Sequence, residues 1–594
     1  MRKIFLNCKT DNLDEYRDVA KFAAENGFTH MVISQVEPSM WQWDRDRKDP
    51  YSNWSMLQSA LFKIVIPDRL KEFLPVKYAE RNFEVFIRRA EILKEYGLKA
   101  VYVGCEPAWL PEEVYLAHPA WRGPRCDQPR RSRHEYYAPC TDNPEVAELY
   151  RECIHKLCSV VPIEYFEFLT NDSGSGICWS GRLYPGANGP ASCRHLSVAE
   201  RAVNFLSLIQ DAAKEVGVNA EAGYDRNFLE TELSAVAASL RPDQFCGIYT
   251  YQGKCGTKSV QADAVRSYDG TSALVGIPLT VRFVNMLQET VDDDTSNIYY
   301  WLSSAKTREY FEVIRACRGR LQKTVTSKYA CLRLAACSLI GDKYADQLVN
   351  IWDQINYAED RLAYLNRGGH ILNLGTIQQR WLTRPLVPFP EELSPEEKAY
   401  YRNYQFQART EEDANRLNDM QATVWCAGES ARWMLWQNLE HAKKPLNKAI
   451  SMIDELLDAP DIGDYRFDLK ELKLKLRMYK CIMVNANNVI HFQSILDRSD
   501  KNAELKDENL AIEEQGDPRY YKMEGIIREE IDNTYEMISI LDEAQTPILS
   551  CTPTVESKYI MKFGPDIRED LCKKIKLMME HKLDLNRLYH SYNL

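Results

Sequence analysis

The amino-acid sequence predicts an α/β protein with a (β/α)8 TIM-type barrel over residues 1–305 and a mainly α-helical region over residues 306–594. Three observations lead to this prediction. Strand-like apolar segments alternate with helical segments six or seven times in the first half, which favours a parallel sheet. Several segments that follow the strands are long and polar, as they are in barrel enzymes. An open, doubly wound sheet would also fit the alternation, but no Gly-x-Gly-x-x-Gly motif opens a helix after a strand.

The elements of the first half are predicted from apolar runs, helical spacing and breakers. We predict strands at 3–7, 28–36, 99–106, 165–170, 220–224, 245–251 and 277–283, and helices at 13–26, 79–96, 144–160, 197–216 and 228–240. Gly27 and Gly97 end the first two helices. Asn143, which is followed by proline, is a typical helix N-cap. Ser197 and Glu200 have the spacing of a capping box.

The second half is predicted to be helical from about residue 307. The predicted helices span 311–321, 329–339, 344–365, 396–416, 420–457, 467–496, 520–541 and 566–588. A proline-rich segment at 368–392 interrupts them and contains Arg380 and Arg384. Two interpretations of this segment stay open: it folds over the barrel mouth as part of the substrate site, or it only connects two domains. No heptad seam compels a dimer, although the helical surface would allow a homodimer.

The composition is that of a globular protein with more than one domain. Its 594 residues exceed what one hydrophobic core usually organises, and 45% of them are hydrophobic. The net charge of −11 provides no overall attraction to nucleic acid. No run of about 18 apolar residues is present, and the apolar run at the N-terminus is too short for an export signal. We therefore expect no membrane partner, a cytoplasmic location and reduced thiols at the 17 cysteines.

Two long segments after predicted strands have unusual compositions. The segment at 37–76 contains three tryptophans, Trp41, Trp43 and Trp54, whose rings would suit the apolar face of a sugar or would simply anchor the loop. Five arginines lie between residues 122 and 133, although the protein is acidic. They would bind carboxylate, sulfate or phosphate groups of a ligand, or they would form salt bridges with neighbouring acids.

The candidate catalytic residues follow the fourth and fifth predicted strands. Glycosidic bond cleavage needs one carboxyl group that protonates the leaving oxygen and a second that acts on the opposite face. In barrel enzymes such groups lie at the carboxyl ends of strands. Asp172 occupies this position after the fourth strand, and the fifth strand offers Asp225 or Glu221 as its partner. Asn171 is expected to hydrogen-bond a sugar hydroxyl. The alternative is that Asp172 only caps a turn.

Further substrate contacts are predicted from their places at strand ends or in the long segments. They are Glu106, Trp109, Trp179, Tyr224, Tyr249, Arg282, Arg380 and Arg384. We predict no cofactor and no metal. Cysteines and histidines do occur in the long segments, but no Cys-x-x-Cys or His-x-x-x-His pair marks a zinc site there. A nucleophilic Cys178 with His195 also lacks a local motif.

The motif Asn171-Asp-Ser-Gly-Ser-Gly-Ile-Cys-Trp179, with Cys193 after it, resembles the strand-four region of barrel glycosidases related to glycoside hydrolase families 20, 67 and 163. The helical region after the barrel is similar to family 67, and the stretch at 380–390 looks like one found in other relatives of this group. The sequence departs from family 20, where an Asp-Glu pair stands in place of Asn171-Asp172. The resemblance implies a glycoside hydrolase that acts on a carbohydrate substrate.

We therefore predict a glycoside hydrolase that cleaves an oligosaccharide or glycoside by paired-carboxylate chemistry. The arginines between residues 122 and 133 favour an acidic substrate. Two alternatives remain open from the sequence. One is a non-catalytic carbohydrate-binding protein on a barrel scaffold, and the other is a metal-dependent barrel enzyme.

Overall fold

The structure is a computed structural model that forms two compact units. One consists of Met1–Ala262 with Phe283–Lys328, and the other of Asp263–Arg282 with Tyr329–Leu594. The described residues are 2–36, 59–126, 135–171, 174–177, 192–225, 228–246, 257–261, 275–291, 297–302, 304–366, 381–402, 429–496, 518–549, 551 and 563–589. The domain limits of 1–305 and 306–594 that the sequence suggests stay a prediction.

The first unit is built on eight parallel strands. They are β1 (Ile4–Cys8), β2 (His30–Val32), β3 (Lys99–Cys105), β4 (Ile163–Leu169), β5 (Glu221–Asp225), β6 (Gln244–Cys246), β7 (Thr257–Gln261) and β8 (Asn297–Leu302). Each strand from β1 to β5 pairs with the next, β7 pairs with β8, and β8 pairs with β1. Among the described residues no ladder joins β6 to β7. This cyclic order is that of a (β/α)8 barrel, so the predicted α/β fold is confirmed.

In the described part of the chain, a helix follows each of these strands except β6. The helices are α1 (Leu13–Glu25), α2 (Val76–Glu95), α3 (Glu112–Ala117), α4 (Pro144–Cys158), α5 (Val198–Glu215), α6 (Glu230–Ser239), α7 (Thr280–Gln288) and α8 (Arg308–Cys317). A short antiparallel hairpin of Arg122–Arg125 and Tyr137–Pro139 lies between α3 and α4. Both predicted caps are confirmed. The Asn143 side chain accepts the Glu145 N–H at 2.9 Å, and Ser197 and Glu200 form a reciprocal capping box.

The barrel interior is filled mainly by aromatic and β-branched side chains from six of its strands. They are Phe5, Val32, Val101, Tyr165, Phe245 and Tyr299. Tyr165 stacks on Phe245 with ring centroids 4.5 Å apart. On the opposite face of β4, Phe168 packs against Phe205 of α5 at 5.5 Å. Because side chains alternate along a strand, Glu167 shares the inward face with Tyr165.

Gly223 of β5 is required by close packing inside the barrel. A Cβ atom at this position would lie 2.2 Å from a ring carbon of Phe245 and 2.3 Å from its carbonyl oxygen. We expect Gly223→Ala to lower the free energy of unfolding by about 2 kcal/mol or more, because the strand and the ring must separate. Gly276→Ala is the matched control, since a Cβ atom there meets nothing within 4 Å. Denaturant unfolding of both variants checks this, and equal midpoints would contradict it.

The prediction of a strand at 277–283 is wrong. Residues 280–288 form helix α7 instead. Pro278 lacks the N–H that a central strand must donate, and the buried Val281, Val284 and Leu287 recur at helical spacing. The prediction also missed two strands, β7 and β8. The first is mostly polar, so its pairing with β8 and not its composition defines it.

Only helices form the regular structure in the described part of the second unit. The chain continues with α9 (Val325–Ile340), α10 (Ala345–Asn366), α11 (Pro395–Arg402), α12 (Glu429–Leu457), α13 (Tyr465–Leu496), α14 (Pro518–Glu543), α15 (Ile567–His581) and α16 (Leu585–Tyr589). The helical character predicted for this half is therefore confirmed. Across the described ranges, no helix combines the length and the apolarity that crossing a bilayer requires.

A buried ion pair lies inside this helical unit. Lys574 of α15 and Glu530 of α14 are in contact, and neither side chain has any exposed surface. Asn485 and Asn488 of α13 donate hydrogen bonds to the two Glu530 oxygens at 2.7 and 3.0 Å. Lys574 also donates to the Leu382 carbonyl at 2.8 Å. Burial lowers the pKa of Lys574, whereas the Glu530 carboxylate opposes that shift. The cluster is consequently sensitive to the loss of any one member.

Candidate active site

The barrel interior is polar near the carboxyl ends of the strands, whereas the next layer of side chains towards the amino ends is mainly aromatic and β-branched. Asn7, near the carboxyl end of β1, donates its Nδ2 to the Tyr299 hydroxyl at 3.0 Å. Gln35, beyond β2, donates its Nε2 to Asn7 Oδ1 at 2.9 Å and to the Cys8 carbonyl at 3.1 Å. These hydrogen bonds fix the two amides at the carboxyl ends of adjacent strands, where barrel enzymes bind their substrates.

Glu167 of β4 adds a carboxyl group to the same inward-facing set. Glu167 is only 2% exposed, and it is paired in register with Val103 of β3 and Gly223 of β5. Burying a carboxyl group costs free energy, so a chain retains one in a barrel interior for a structural or functional reason. Sequence reasoning missed Glu167. The available signal was a charged residue between Phe166 and Phe168, in a strand of mainly aromatic and aliphatic residues.

Two buried polar groups at the end of β4 have no hydrogen-bond partner among the described residues. They are the hydroxyl of Thr170 and the amide Nδ2 of Asn171, in residues that are 0% and 2% exposed. Asn171 has a left-handed backbone, with φ of 54°, and its Oδ1 accepts the Ile177 N–H at 3.1 Å. A buried donor without a partner is unfavourable unless a ligand or water completes it. Asp172, the predicted acid, follows directly and lies outside the described residues.

The two candidate partners of Asp172 lie at opposite ends of β5. Asp225 is the last residue of the strand and is in register with Leu169 of β4, so its backbone is at the barrel mouth. Its side chain lies outside the described part of the structure. Glu221 is the first residue of the strand, and its carboxylate pairs with Lys3. The prediction that Glu221 is a catalytic group at a strand end is therefore wrong, because it lies at the amino end of the sheet.

Glu106, predicted as a substrate contact, is an internal anchor just after β3. It has no exposed surface and accepts hydrogen bonds from the Leu61 and Ala108 N–H groups. The Tyr102 and Tyr150 hydroxyls also donate to it, at 3.2 and 3.3 Å. Burial raises the pKa of the Glu106 carboxyl from 4.5 to about 7, although these hydrogen bonds act in the opposite direction. Glu106 therefore holds the segments after β2 and β3 together.

The raised pKa of Glu106 predicts a pH-dependent stability. Its contribution is fully present below the pKa of 4.5 in the unfolded chain and is lost as pH rises through about 7. We expect the free energy of unfolding of the wild type, relative to a Glu106→Gln variant, to fall by about 3 kcal/mol between pH 4.5 and pH 8. Denaturant unfolding over this range measures the difference. A difference that stays constant with pH would contradict the assignment.

The other predicted contacts are dispersed. Trp109 is buried and packs edge-on against Tyr136 at 4.8 Å. Tyr224, a predicted substrate contact, faces the outer helices, where its hydroxyl donates to the Ala202 carbonyl at 3.3 Å. Arg282 belongs to helix α7 and not to a strand end.

In the helical unit, Arg384 is buried and donates to the Gln493 side chain at 2.7 Å. Trp179, Tyr249 and Arg380 lie outside the described residues.

Two of the five clustered arginines pair with acidic residues of their own segment. Arg122 contacts Glu112, and Arg125 donates to Glu135 at 2.8 Å. These contacts favour the salt-bridge interpretation for Arg122 and Arg125. The other three arginines lie outside the described residues, as do Trp41, Trp43 and Trp54.

The first unit is thus an eight-stranded parallel barrel with polar groups at the carboxyl ends of β1 and β4. The fold of the chain is similar to that of a GH138 enzyme targeting pectin rhamnogalacturonan II, with a TM-score of 0.50, 9% identity, and coverage of 98% of this chain and 66% of that chain. The chain therefore spans slightly less than two thirds of that enzyme. At this identity the likeness shows the fold alone.

Two further solved structures are similar at lower TM-scores. A mutant of the Thermobaculum terrenum O-GlcNAc hydrolase has a TM-score of 0.37 and 10% identity, over 98% of this chain and 96% of that chain. A GH20 exo β-N-acetylglucosaminidase from Vibrio harveyi has a TM-score of 0.32 and 10% identity, over 56% and 54%. No model of a known protein family and no curated protein sequence matches. These likenesses support a fold like that of glycoside hydrolases, and they do not single out the group of families 20, 67 and 163.

Proposed function

We propose that the protein is a glycoside hydrolase whose active site lies at the carboxyl ends of the barrel strands. The observation that carries this proposal is the pair of buried, unpartnered groups at the end of β4, Thr170 Oγ1 and Asn171 Nδ2. They immediately precede Asp172 in a barrel whose fold resembles that of a glycoside hydrolase. Hydroxyl-rich ligands such as sugars offer the oxygen acceptors and donors that these two groups lack.

The proposed chemistry uses Asp172 as the general acid and Asp225 as its partner. Asp172 protonates the leaving glycosidic oxygen, while Asp225 acts on the anomeric carbon from the other face, either directly or through water. Asn171 donates its free amide N–H to a sugar hydroxyl and is held in place by the Ile177 N–H.

The proposed substrate is an oligosaccharide with acidic sugars. The GH138 enzyme of similar fold targets pectin rhamnogalacturonan II. Because Arg122 and Arg125 pair with Glu112 and Glu135, the proposal assigns recognition of the acidic groups to Arg130, Arg131 and Arg133. A guanidinium group pairs with a sugar carboxylate through two parallel hydrogen bonds.

A glycan panel tests this function. Purified protein is incubated with neutral and acidic oligosaccharides, including fragments of rhamnogalacturonan II, and new reducing ends are quantified by chromatography and mass spectrometry. We expect hydrolysis of at least one glycan class, with turnover that requires Asp172. Saturable binding of a glycan without any new reducing end would contradict the proposal and would indicate a carbohydrate-binding barrel instead.

A further inference from the structure

Two cysteines from different segments of the first unit meet in a buried cluster. Cys140 follows the second strand of the hairpin, and Cys193 lies between β4 and α5. Their sulfur atoms and a carboxylate oxygen of Asp142 all lie within 4.8 Å of one another. Cys140 is 0% exposed, Cys193 is 2% exposed, and both are reduced. The proposed glycosidase chemistry uses neither of them.

A buried guanidinium completes this cluster. Arg201 of α5 has a side chain that is 1% exposed, and its Nε donates to Asp142 Oδ2 at 2.6 Å. Its Nη2 lies 3.9 Å from the Cys140 sulfur. The second Asp142 oxygen accepts a hydrogen bond from Asn204 at 3.1 Å. A positive charge next to a thiol favours the thiolate, which is the nucleophilic form of cysteine.

The two thiols differ in acidity because they face each other. The hydrogen bond from Cys193, aided by the Arg201 charge, lowers the pKa of the Cys140 thiol. The hydrogen bond to Cys140, together with burial, raises the pKa of the Cys193 thiol. The arrangement of one thiolate and one protonated thiol within reach is that of an attacking and a resolving cysteine.

We propose that Cys140 and Cys193 are a redox-active dithiol that a hydroperoxide converts to a disulfide. The Cys140 thiolate attacks one peroxide oxygen, the O–O bond breaks, and a sulfenic acid forms as hydroxide or alkoxide leaves. Cys193 then loses its proton, its sulfur attacks the Cys140 sulfur, and the hydroxyl of the sulfenic acid leaves as water. The two thiols are oxidised by two electrons, and hydrogen peroxide is reduced to two water molecules.

A bound metal ion fits this cluster less well. Cysteine thiolates suit zinc, but both Asp142 oxygens already accept hydrogen bonds from Arg201 and Asn204. The guanidinium would also face the metal ion at close range, and the two positive charges repel each other. The same guanidinium stabilises a thiolate, so it favours the redox role.

The disulfide would join two loops at the barrel mouth. Cys140 ends the segment after β3, whereas Cys193 ends the segment after β4 that contains Asp172. These segments already share backbone hydrogen bonds, from the Trp109 N–H to the Gly174 carbonyl at 2.8 Å and from the Gly176 N–H to the Pro107 carbonyl at 3.0 Å. Oxidation therefore adds a covalent link beside the proposed active site.

Peptide mapping after peroxide treatment tests the proposal on the full-length protein. Reduced protein is exposed to hydrogen peroxide, denatured with an alkylating agent and digested. We expect a Cys140–Cys193 linked peptide, loss of two thiols per chain and an intact mass lower by two hydrogen atoms. A Cys193→Ser variant should instead give a Cys140 sulfenic acid that a 1,3-dione traps. A Cys126→Ser variant is the matched control, since Cys126 is equally buried and should leave the linked peptide unchanged.

Two results would overturn the proposal. One is recovery of Cys140 and Cys193 as separately alkylated or separately over-oxidised residues in the peroxide-treated wild type, which needs no variant to fold. The other is stoichiometric zinc in the purified protein that is lost in both Cys140→Ser and Cys193→Ser, because the sulfurs would then be metal ligands. The outcome is independent of glycosidase activity, which these measurements do not use.

Discussion

Asp172→Asn is expected to lower kcat/KM for a glycan substrate by about 10²- to 10⁴-fold, because the asparagine amide cannot deliver a proton to the leaving oxygen. The loss should be much smaller for an aryl glycoside with an acidic phenol as leaving group, since that oxygen needs little protonation. If Asp172 is the acid, the variant should also lose the alkaline limb of the pH profile, which reports deprotonation of that group. Steady-state kinetics on both substrate types measure these effects.

The matched control is Asp211→Asn, which makes the same chemical change on an exposed face of α5. It should retain wild-type kinetics and the wild-type unfolding midpoint. A protein in which Asp172→Asn hydrolyses glycans at the wild-type rate would remove Asp172 from the catalytic machinery. An equal loss on both substrate types would point to a nucleophile or base instead of an acid.

Lys574→Met is expected to lower the free energy of unfolding of the helical unit by about 3–5 kcal/mol. It removes the positive charge from a pair in which both side chains are fully buried, and it leaves the Glu530 carboxylate with two asparagine donors as its described partners. Lys576→Met is the matched control on the same helix, because its side chain is 73% exposed and its pair with Glu580 spans one turn. That control should change stability by less than about 1 kcal/mol.

A double-mutant cycle distinguishes the lost charge from lost packing. When Glu530→Gln is added to Lys574→Met, no uncompensated charge remains, so part of the stability should return. Denaturant unfolding of the four proteins gives the coupling free energy. Additive losses, or a Lys574→Met variant as stable as Lys576→Met, would contradict the account of this cluster.

The sequence predicted the barrel because local chemistry determines most of its elements. Asn143 and Ser197 cap their helices through side chain to backbone hydrogen bonds that need no tertiary context. The strand at 257–261 escaped prediction because its residues are mostly polar and only its ladder with β8 defines it. Pro278 disfavours a strand at 277–283, but the apolar residues around it suggested one.

The site was less predictable, because it depends on strand register and direction. Glu221 and Asp225 belong to one strand, and only its exact limits show that the first lies at the amino end and the second at the mouth. The positions of the Glu167 and Tyr224 side chains depend on which residues of a strand face the barrel interior. The packing of Tyr165 and Phe168 shows this direction for β4. Glu106 looked like a strand-end acid, but two of its donors, the Leu61 N–H and the Tyr150 hydroxyl, come from segments that only the fold brings to it.

The most direct test of the central claim is the incorporation of isotopic oxygen during glycan cleavage. The wild-type protein is incubated with a cleaved glycan in H₂¹⁸O, and the products are measured by mass spectrometry. We predict one ¹⁸O atom at the new reducing end, because water completes the hydrolysis of a glycosidic bond. We also predict that Asp172→Asn forms labelled product from the same glycan at least about 10²-fold more slowly. Products without ¹⁸O, or labelled products at an undiminished rate in that variant, would contradict the proposed active site.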